Sequence, residues 1–521
     1  MPISEWCPHC GANGTLVPDG SRFDHRTGER NKKFRCTDCE RTTQNPLDYD
    51  PKTNVFDTLR RPLPRTNRYV VTCAQNATNY HRKFLTSLVK YCDHNNAELL
   101  IIPIRYKNPT STWSKTAKKY DWWHDDLVPF LFVDRINLTP SLVLLGDIRT
   151  QLTAEKPLTG FETITGNAWG ILGHPKLQLT AIATPANRLP KIMTTTGAVT
   201  LSDNYVDSKA GKKGAFHHTY GACIVEIDGD KTHLRQINAL KNGTFIDLDK
   251  KYTPEGVEDA PPAAGLVMGD THVQFVDPGV VDATFTNKNS IVKTLKPRQL
   301  IFHDVLDFYS QNWHDRNNPF IQYGKHVAQM NNVRNEVDLT CRFLNEMVPK
   351  DTKAIIVPSN HNEGLDRWIR EHDWKSDPSH MEFYLETALE MIRSTQMEDR
   401  GVTTVDPFRY WAEKKLICDH TFLNRDDPYM IQGIECGFHG DQGPNGSKGS
   451  AEAFKRISAK TIIGHFHWPA ISEGCYQVGT NSRLKLQYNT GPSSWMHADC
   501  VVYANGKRSL IMILDGDWRL P

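Results

Sequence analysis

The chain has no run of 18 apolar residues, and its start, Met1-Pro2-Ile3-Ser4-Glu5-Trp6, has no basic stretch followed by an apolar one. The first lack excludes a membrane-spanning helix, and the second leads us to expect no secretory leader. An excess of one charge is lacking too. Lys and Arg total 62 against 60 Asp and Glu, a net of +2, so any grip on nucleic acid has to come from local patches and not from the overall field. Eight of the 12 cysteines (Cys73, Cys92, Cys223, Cys341, Cys418, Cys436, Cys475 and Cys500) show no paired spacing. That argues against a disulfide framework and reads as buried thiols in a reducing compartment. There is no internal repeat, and the glycine-rich stretch from Gly440 to Gly449 lacks the Gly-Lys-Ser/Thr that a phosphate-cradling loop needs after a strand. What is present is an ordinary globular composition, 39% hydrophobic and 23% charged over 521 residues, enough for two sizeable domains and a small module. The expectation is a soluble, cytoplasmic protein with no membrane contact.

The other four cysteines form two knuckles, Cys7-Pro8-His9-Cys10 and Cys36-Thr37-Asp38-Cys39, separated by 25 residues. Four thiolates so spaced read as a zinc ribbon over residues 1–45, a closed site whose single zinc folds the module and takes no part in catalysis. Residues 46–67, with Pro51, Pro62, Pro64, Arg60, Arg61 and Arg65, read as a basic linker. From Arg68 the pattern becomes β-α-β: a strand at Tyr69 to Thr72, an amphipathic helix from His81 to Cys92, and a buried strand from Glu98 to Ile104. This opens an α/β domain over residues 68–255 for which the sequence assigns no chemistry. Within it Arg105, Lys107, Trp113, Lys115, Lys118 and Lys119 interleave cations with aromatics, the pattern of a surface that holds a phosphate backbone while stacking bases. Trp122 and Trp123 continue that stretch and equally suit a core. A loop from Ser208 to Gly214, with Lys209, Lys212 and Lys213, is a second candidate patch.

The strongest signal lies in residues 256–521. Metal-ligand residue types fall in five short clusters: Gly269-Asp270-Thr271-His272, Asp304-Val305-Leu306-Asp307, Asn360-His361, His439, and Gly464-His465-Phe466-His467. Apolar runs precede four of them, at Ala264 to Met268, Gln299 to Phe302, Ala354 to Pro358 and Thr461 to Ile463. Such runs describe strands of a covered sheet that deliver ligands at their carboxyl ends. Mixed carboxylate, amide and imidazole donors suit manganese, iron or zinc better than calcium. His420 lies upstream of His439 as a competitor for the fourth cluster.

At these residues the chain resembles the calcineurin-like metallophosphoesterase superfamily, whose pattern is Asp-x-His, Gly-Asp-x-x-Asp, Gly-Asn-His-Glu/Asp, a lone His, and Gly-His-x-His. The resemblance implies a four-layer α-β-β-α sandwich over 256–521 and two divalent ions, manganese first among the three candidates. One ion would be held by Asp270, His272, Asp304 and His467, the other by Asp304, Asn360, His439 and His465, with Asp304 bridging. His361 would donate a proton to the leaving oxygen. The chain departs from the family at His303, Ser359 and Asn362, none of which removes a ligand; Asn362 stands where an acid usually follows the histidine, and the adjacent Glu363 is the candidate to replace it. Protein phosphatases of the superfamily continue the second motif into Val-Asp-Arg, whereas here it runs Asp304-Val305-Leu306-Asp307-Phe308. That run is similar to the DNA-repair nucleases of the superfamily.

Taken whole, the chain resembles the pre-early host-DNA-degrading DNases of large lytic siphophages. This implies an α/β enzyme that hydrolyses DNA in the host cytoplasm, with the middle and ribbon domains positioning substrate or building a homo-oligomer. Two other classes remain open on sequence: a phosphoesterase for small phosphodiesters, nucleotides or phosphoproteins, and a DNA-binding protein without catalysis.

Overall fold

The computed structural model describes the whole chain except residues 1–4, 8, 9, 11, 25–28, 45, 47–62, 105–122, 149, 186, 187, 204, 399, 400 and 488. Arg105, Lys107, Trp113, Lys115, Lys118 and Lys119, and most of the expected linker, lie outside the described residues. The chain forms two compact units: residues 1–182, 191–260 and 519–521 make the first, residues 183–190 and 261–518 the second. Among the described residues no helix is long and apolar enough to cross a membrane.

The first unit begins with a small antiparallel sheet of Leu16–Asp24, Glu29–Cys36 and Thr42–Thr43. A four-stranded sheet follows in the order Lys231–Asn238, Gly221–Asp228, Arg68–Gln75, Glu98–Ile104. Its last two strands are parallel and are joined by the helix Arg82–Asn95, the crossover a parallel pair requires. His81 starts that helix by accepting a hydrogen bond from the Phe84 amide, and Asn96, in the left-handed region at φ 50°, ends it. Phe84, Leu85, Leu88 and Tyr91 bury one face in a core that includes Trp123, whose indole donates to the Ala74 carbonyl at 3.0 Å. Trp123 is therefore a core residue and not part of an exposed stacking surface. The segment expected as a loop at Ser208 to Gly214 is in fact the start of a helix, Lys209–His217, capped by the Ser208 hydroxyl. Its Lys212 and Lys213 pair with Asp207 and Glu155, so it offers less free charge than its lysines suggest.

The second unit carries two sheets. One runs His420–Phe422, Lys353–Ile356, Gln299–Phe302, Gly265–Val267, Ala498–Val502, Arg508–Met512. Its first four strands are parallel and the last two antiparallel. Three of the parallel strands bury Leu266, Val267, Leu300, Ile301, Phe302, Ile355 and Ile356, as strands covered on both faces must, while His420–Phe422 at the edge is only half-buried. The other contains Met430–Ile431, Ile434–Glu435, Lys460–Ile463, Cys475–Gln477 and Ala470–Ser472 in that order. The two sheets meet at Gly265, where a Cβ would come within 2.9 Å of Ile431 Cδ1, so the absent side chain sets their approach. The longest helix of the unit, Val333–Met347, is an amphipathic crossover that buries Val333, Val337, Cys341 and Leu344.

Candidate metal centre

The ligand-type residues all stand just beyond the carboxyl ends of parallel strands. Asp270 and His272 follow Gly265–Val267, Asp304 follows Gln299–Phe302, and Asn360 and His361 follow Lys353–Ile356 in the first sheet. His439 follows Ile434–Glu435, and His465 and His467 follow Lys460–Ile463, in the second. Three groups of potential ligand atoms result, each with its atoms within 4.8 Å of one another: Asp270, His272, Asp304 and His467; Asp304, His439 and His465; and His272, Asp307 and His361. Asp304 is common to the first two. His439 Nε2 lies 3.1 Å from Asp304 Oδ2, His467 Nε2 3.2 Å from Asp270 Oδ2, and His272 Nε2 3.1 Å from His467 Nε2. His420 is elsewhere, its Nδ1 bonded to the Cys418 carbonyl. Asn360 is exposed and lines the cavity that also holds His361.

Burial without compensation marks this centre. Asp270 and Asp304 are fully buried, and none of their four carboxylate oxygens has a hydrogen bond of ordinary geometry. Sealing a carboxylate from water costs several kcal/mol unless a cation or donors replace the lost hydration. The protons of the centre respond accordingly. Burial lifts Asp270 to about 6 against the pull of His439 and His272. For His272, burial is outweighed by the hydrogen bond with Asp307 and the charges of Asp307, Asp304 and Asp270, which raise it to about 9. His439 is raised in the same way, by Asp304 against burial. His465, depressed by burial and by His439 to about 4, stays neutral with its lone pair available. The donor set therefore fits divalent cations: orphaned carboxylates that hold protons on His272 and His439 call for positive charge, and burial keeps His465 and His467 neutral as ready ligands.

The backbone is strained at the same residues. His272, Asp304, His465 and His467 adopt φ of 43°, 44°, 76° and 63°, a region that costs a non-glycine residue on the order of 1–3 kcal/mol. Cross-links hold them there. The His272 amide donates to the Asp304 carbonyl at 2.7 Å, and Thr271 to the His303 carbonyl at 3.0 Å. Gly464 must lack a side chain because a Cβ would collide with Asp270 Oδ1.

Several residues without an assigned role in the sequence reading position the others. Asp307 bonds His272 Nδ1 at 2.6 Å and offers its backbone carbonyl to His361 Nδ1 at 2.8 Å. It thereby fixes both ring orientations and leaves Nε2 of each as the working nitrogen. Asn362 accepts from the Leu306 amide and donates to the Val357 carbonyl, tying the third motif to the second. Glu363 does not orient His361. It pairs with Arg425, which also holds Asp441, so one guanidinium joins the loop after His361 to the loop after His439. Only the fixed spacing Asp304-x-x-Asp307 hinted at any of this. The link through Arg425 spans 62 positions and had no local signature.

A separate cluster gathers the amino-terminal cysteines. Cys7 and Cys39 Sγ are 3.7 Å apart and Cys10 and Cys36 Sγ 3.5 Å. Four sulfurs about 2.3 Å from a tetrahedral zinc would stand about 3.8 Å apart, so the cluster is sized for that ion. All 12 cysteines are free thiols. Hydrogen bonds from Cys10 and Cys7 draw the Cys39 thiol down to about 4, which supplies one thiolate before any metal binds.

Compared with known proteins, the chain is 32% identical over 473 residues to protein A1 of Escherichia phage T5, an alignment covering 86% of this chain and 82% of that protein. No family model matches the chain, and no solved structure does.

Proposed function

The chain belongs to the family of protein A1 of Escherichia phage T5, and from that premise we propose that it is a phage-encoded, metal-dependent deoxyribonuclease, built on a metallophosphoesterase sandwich and acting on host DNA in the host cytoplasm. The observation that carries the reading is the pair of fully buried carboxylates, Asp270 and Asp304, whose oxygens lack hydrogen bonds of ordinary geometry and are surrounded by imidazoles. Asp270, His272, Asp304 and His467 would hold one divalent ion, and Asp304, Asn360, His439 and His465 the other. Divalent ions held by these residues would supply Lewis-acid chemistry, offsetting the charge of a phosphodiester and favouring its attack by water near neutral pH.

The chain's own groups do the rest. Asp307 orients His272 through Nδ1, and its carbonyl takes the Nδ1 proton of His361 in a hydrogen bond. With Nδ1 so committed, Nε2 is the nitrogen of His361 that can take up and release a proton; the residue lines a cavity of about 620 Å³, and in the imidazolium form it would give that proton to the leaving alkoxide. Phe308 stands where phosphatases of the superfamily carry an arginine for phosphomonoesters, which favours a diester.

The test is cleavage of linear and circular double-stranded DNA by purified protein, stripped with chelator and resupplied with manganese, magnesium or zinc. Asp304→Ala serves as control. Metal-dependent degradation absent from the variant supports the reading, and the circular substrate reveals whether ends are needed. Loss of DNA cleavage with retained hydrolysis of a small phosphodiester would replace DNA by a small substrate.

A further inference from the structure

Beside His361 lies a cleft whose outer wall the metal chemistry does not use. It is lined by His361 and Asn360 at one part and by Trp313, Arg316 and Arg367 at another. Its volume of about 620 Å³ falls in the range of sites that take a small organic group such as a nucleotide. Trp313 is 48% exposed, so part of its ring is open to a ligand entering the cleft. Two guanidinium groups are stationed by its ring: Arg367 lies 4.2 Å and Arg316 5.3 Å from the centroid.

A charge account of the cleft leaves one cation over. The three carboxylates lining it are already partnered. Asp307 bonds His272, Glu371 bonds Arg367, and Asp377 bonds His380 with His372 at 3.4 Å. Arg316 has no carboxylate partner among the described residues, so its charge is available to an anion. An aromatic face, an adjacent uncommitted guanidinium and a proton donor in one cleft match the three parts of a nucleotide unit: base, phosphate and reacting oxygen.

We propose that this cleft binds an unpaired nucleotide of the DNA substrate, with the base stacked on Trp313 and a flanking phosphate on Arg316. The proposal rests on the reading of the protein as a DNA nuclease, and it adds that the strand must be frayed or single-stranded where it meets the centre. Duplex bases remain stacked on each other and cannot present a face to Trp313.

The experiment measures binding alone, so that it stands apart from cleavage. Full-length metal-loaded protein is titrated into a dye-labelled oligothymidylate with hydrolysis-resistant phosphorothioate linkages, and into an abasic oligomer of the same length and linkage. Trp313→Ala is expected to weaken binding of the oligothymidylate by about 5- to 160-fold, the range for losing one stacked base. Trp313→Phe, which keeps a ring, should weaken it far less, and neither variant should weaken the abasic oligomer. Arg316→Gln should weaken both oligomers alike and reduce the slope of log affinity against log salt by about 0.7, one single-strand phosphate contact. Equal affinity of Trp313→Ala and wild type for the oligothymidylate would overturn the proposal, as would an equal loss on both oligomers. Circular dichroism spectra matching wild type would exclude misfolding as the cause of either loss. If the protein binds as expected but fails to cleave DNA, the nuclease reading falls and the nucleotide cleft stands. If it cleaves DNA while Trp313→Ala binds normally, the reverse holds.

Discussion

At Asp304 three demands meet on one side chain. It shares both ligand groups, its backbone sits at φ 44°, and its carbonyl anchors the His272 amide. Replacing it by Ala removes the carboxylate common to those two groups, so Asp304→Ala should lose both ions of the centre and keep only the zinc of the cysteine cluster, measured by elemental analysis after dialysis. Retention of a further full equivalent beyond that zinc would refute its shared role. His361→Ala differs in kind: metal content should be unchanged while turnover drops by about 10²–10⁴, the usual worth of a positioned proton donor. Single-turnover kinetics at saturating metal would check this, and an unaltered rate would move the proton donor elsewhere. Gly464→Ala offers a steric counterpart, since its methyl group enters the space of Asp270 Oδ1. It should lose metal affinity although it alters no ligand, as isothermal titration would reveal.

At the scale of elements, the strands that end in ligand loops were legible because a sheet covered on both faces needs uninterrupted apolar runs, and Gln299–Phe302 and Lys353–Ile356 are such runs. Helix Lys209–His217 was not legible. Gly211 and Gly214 make its sequence read as a turn, yet Gly211 is there because a Cβ would strike the Val206 carbonyl, a tertiary constraint that overrides propensity. Pairings distant in sequence, such as Arg425 with Glu363 and Asp441, leave no periodicity to read. The first unit has its own instance in the buried cluster of Arg235 with Glu226 and Asp247, at 2.8 Å to each. Burial would raise Glu226, but Arg235 outweighs it and holds the carboxyl at about 2. Because the folded pKa is depressed, this stabilisation is complete above about 4.5 and is lost as pH falls toward 2. Glu226→Gln leaves Arg235 half-paired and should cost up to about 3 kcal/mol at neutral pH. The penalty should shrink in urea unfolding at pH 3; a deficit independent of pH would mean that packing, not charge, is what the substitution disturbs.

For the whole molecule, the Asp/His centre and the cysteine cluster separate cleanly in what they should support. Saturating the Asp/His centre at about 100 times its dissociation constant adds about 2.7 kcal/mol to the folded state. That corresponds to about 5–10 °C in the unfolding temperature of the unit that carries it, readable by calorimetry. Cys36→Ser should lose zinc and destabilise the amino-terminal sheet without moving that transition. Abolished phosphodiester cleavage in a folded Cys36→Ser protein would show that the cysteine cluster does more than hold its own module.

The acid–base state of the centre also has a thermodynamic signature. His272, poised at about 9 by Asp307 and its neighbours, carries a proton at neutral pH wherever no cation has displaced it. Filling the centre is then an exchange reaction, ion in and proton out. The heat released on loading should change with the ionisation enthalpy of the buffer, and the affinity should steepen as the medium becomes more alkaline. A centre so built would couple its own assembly to the proton concentration around it.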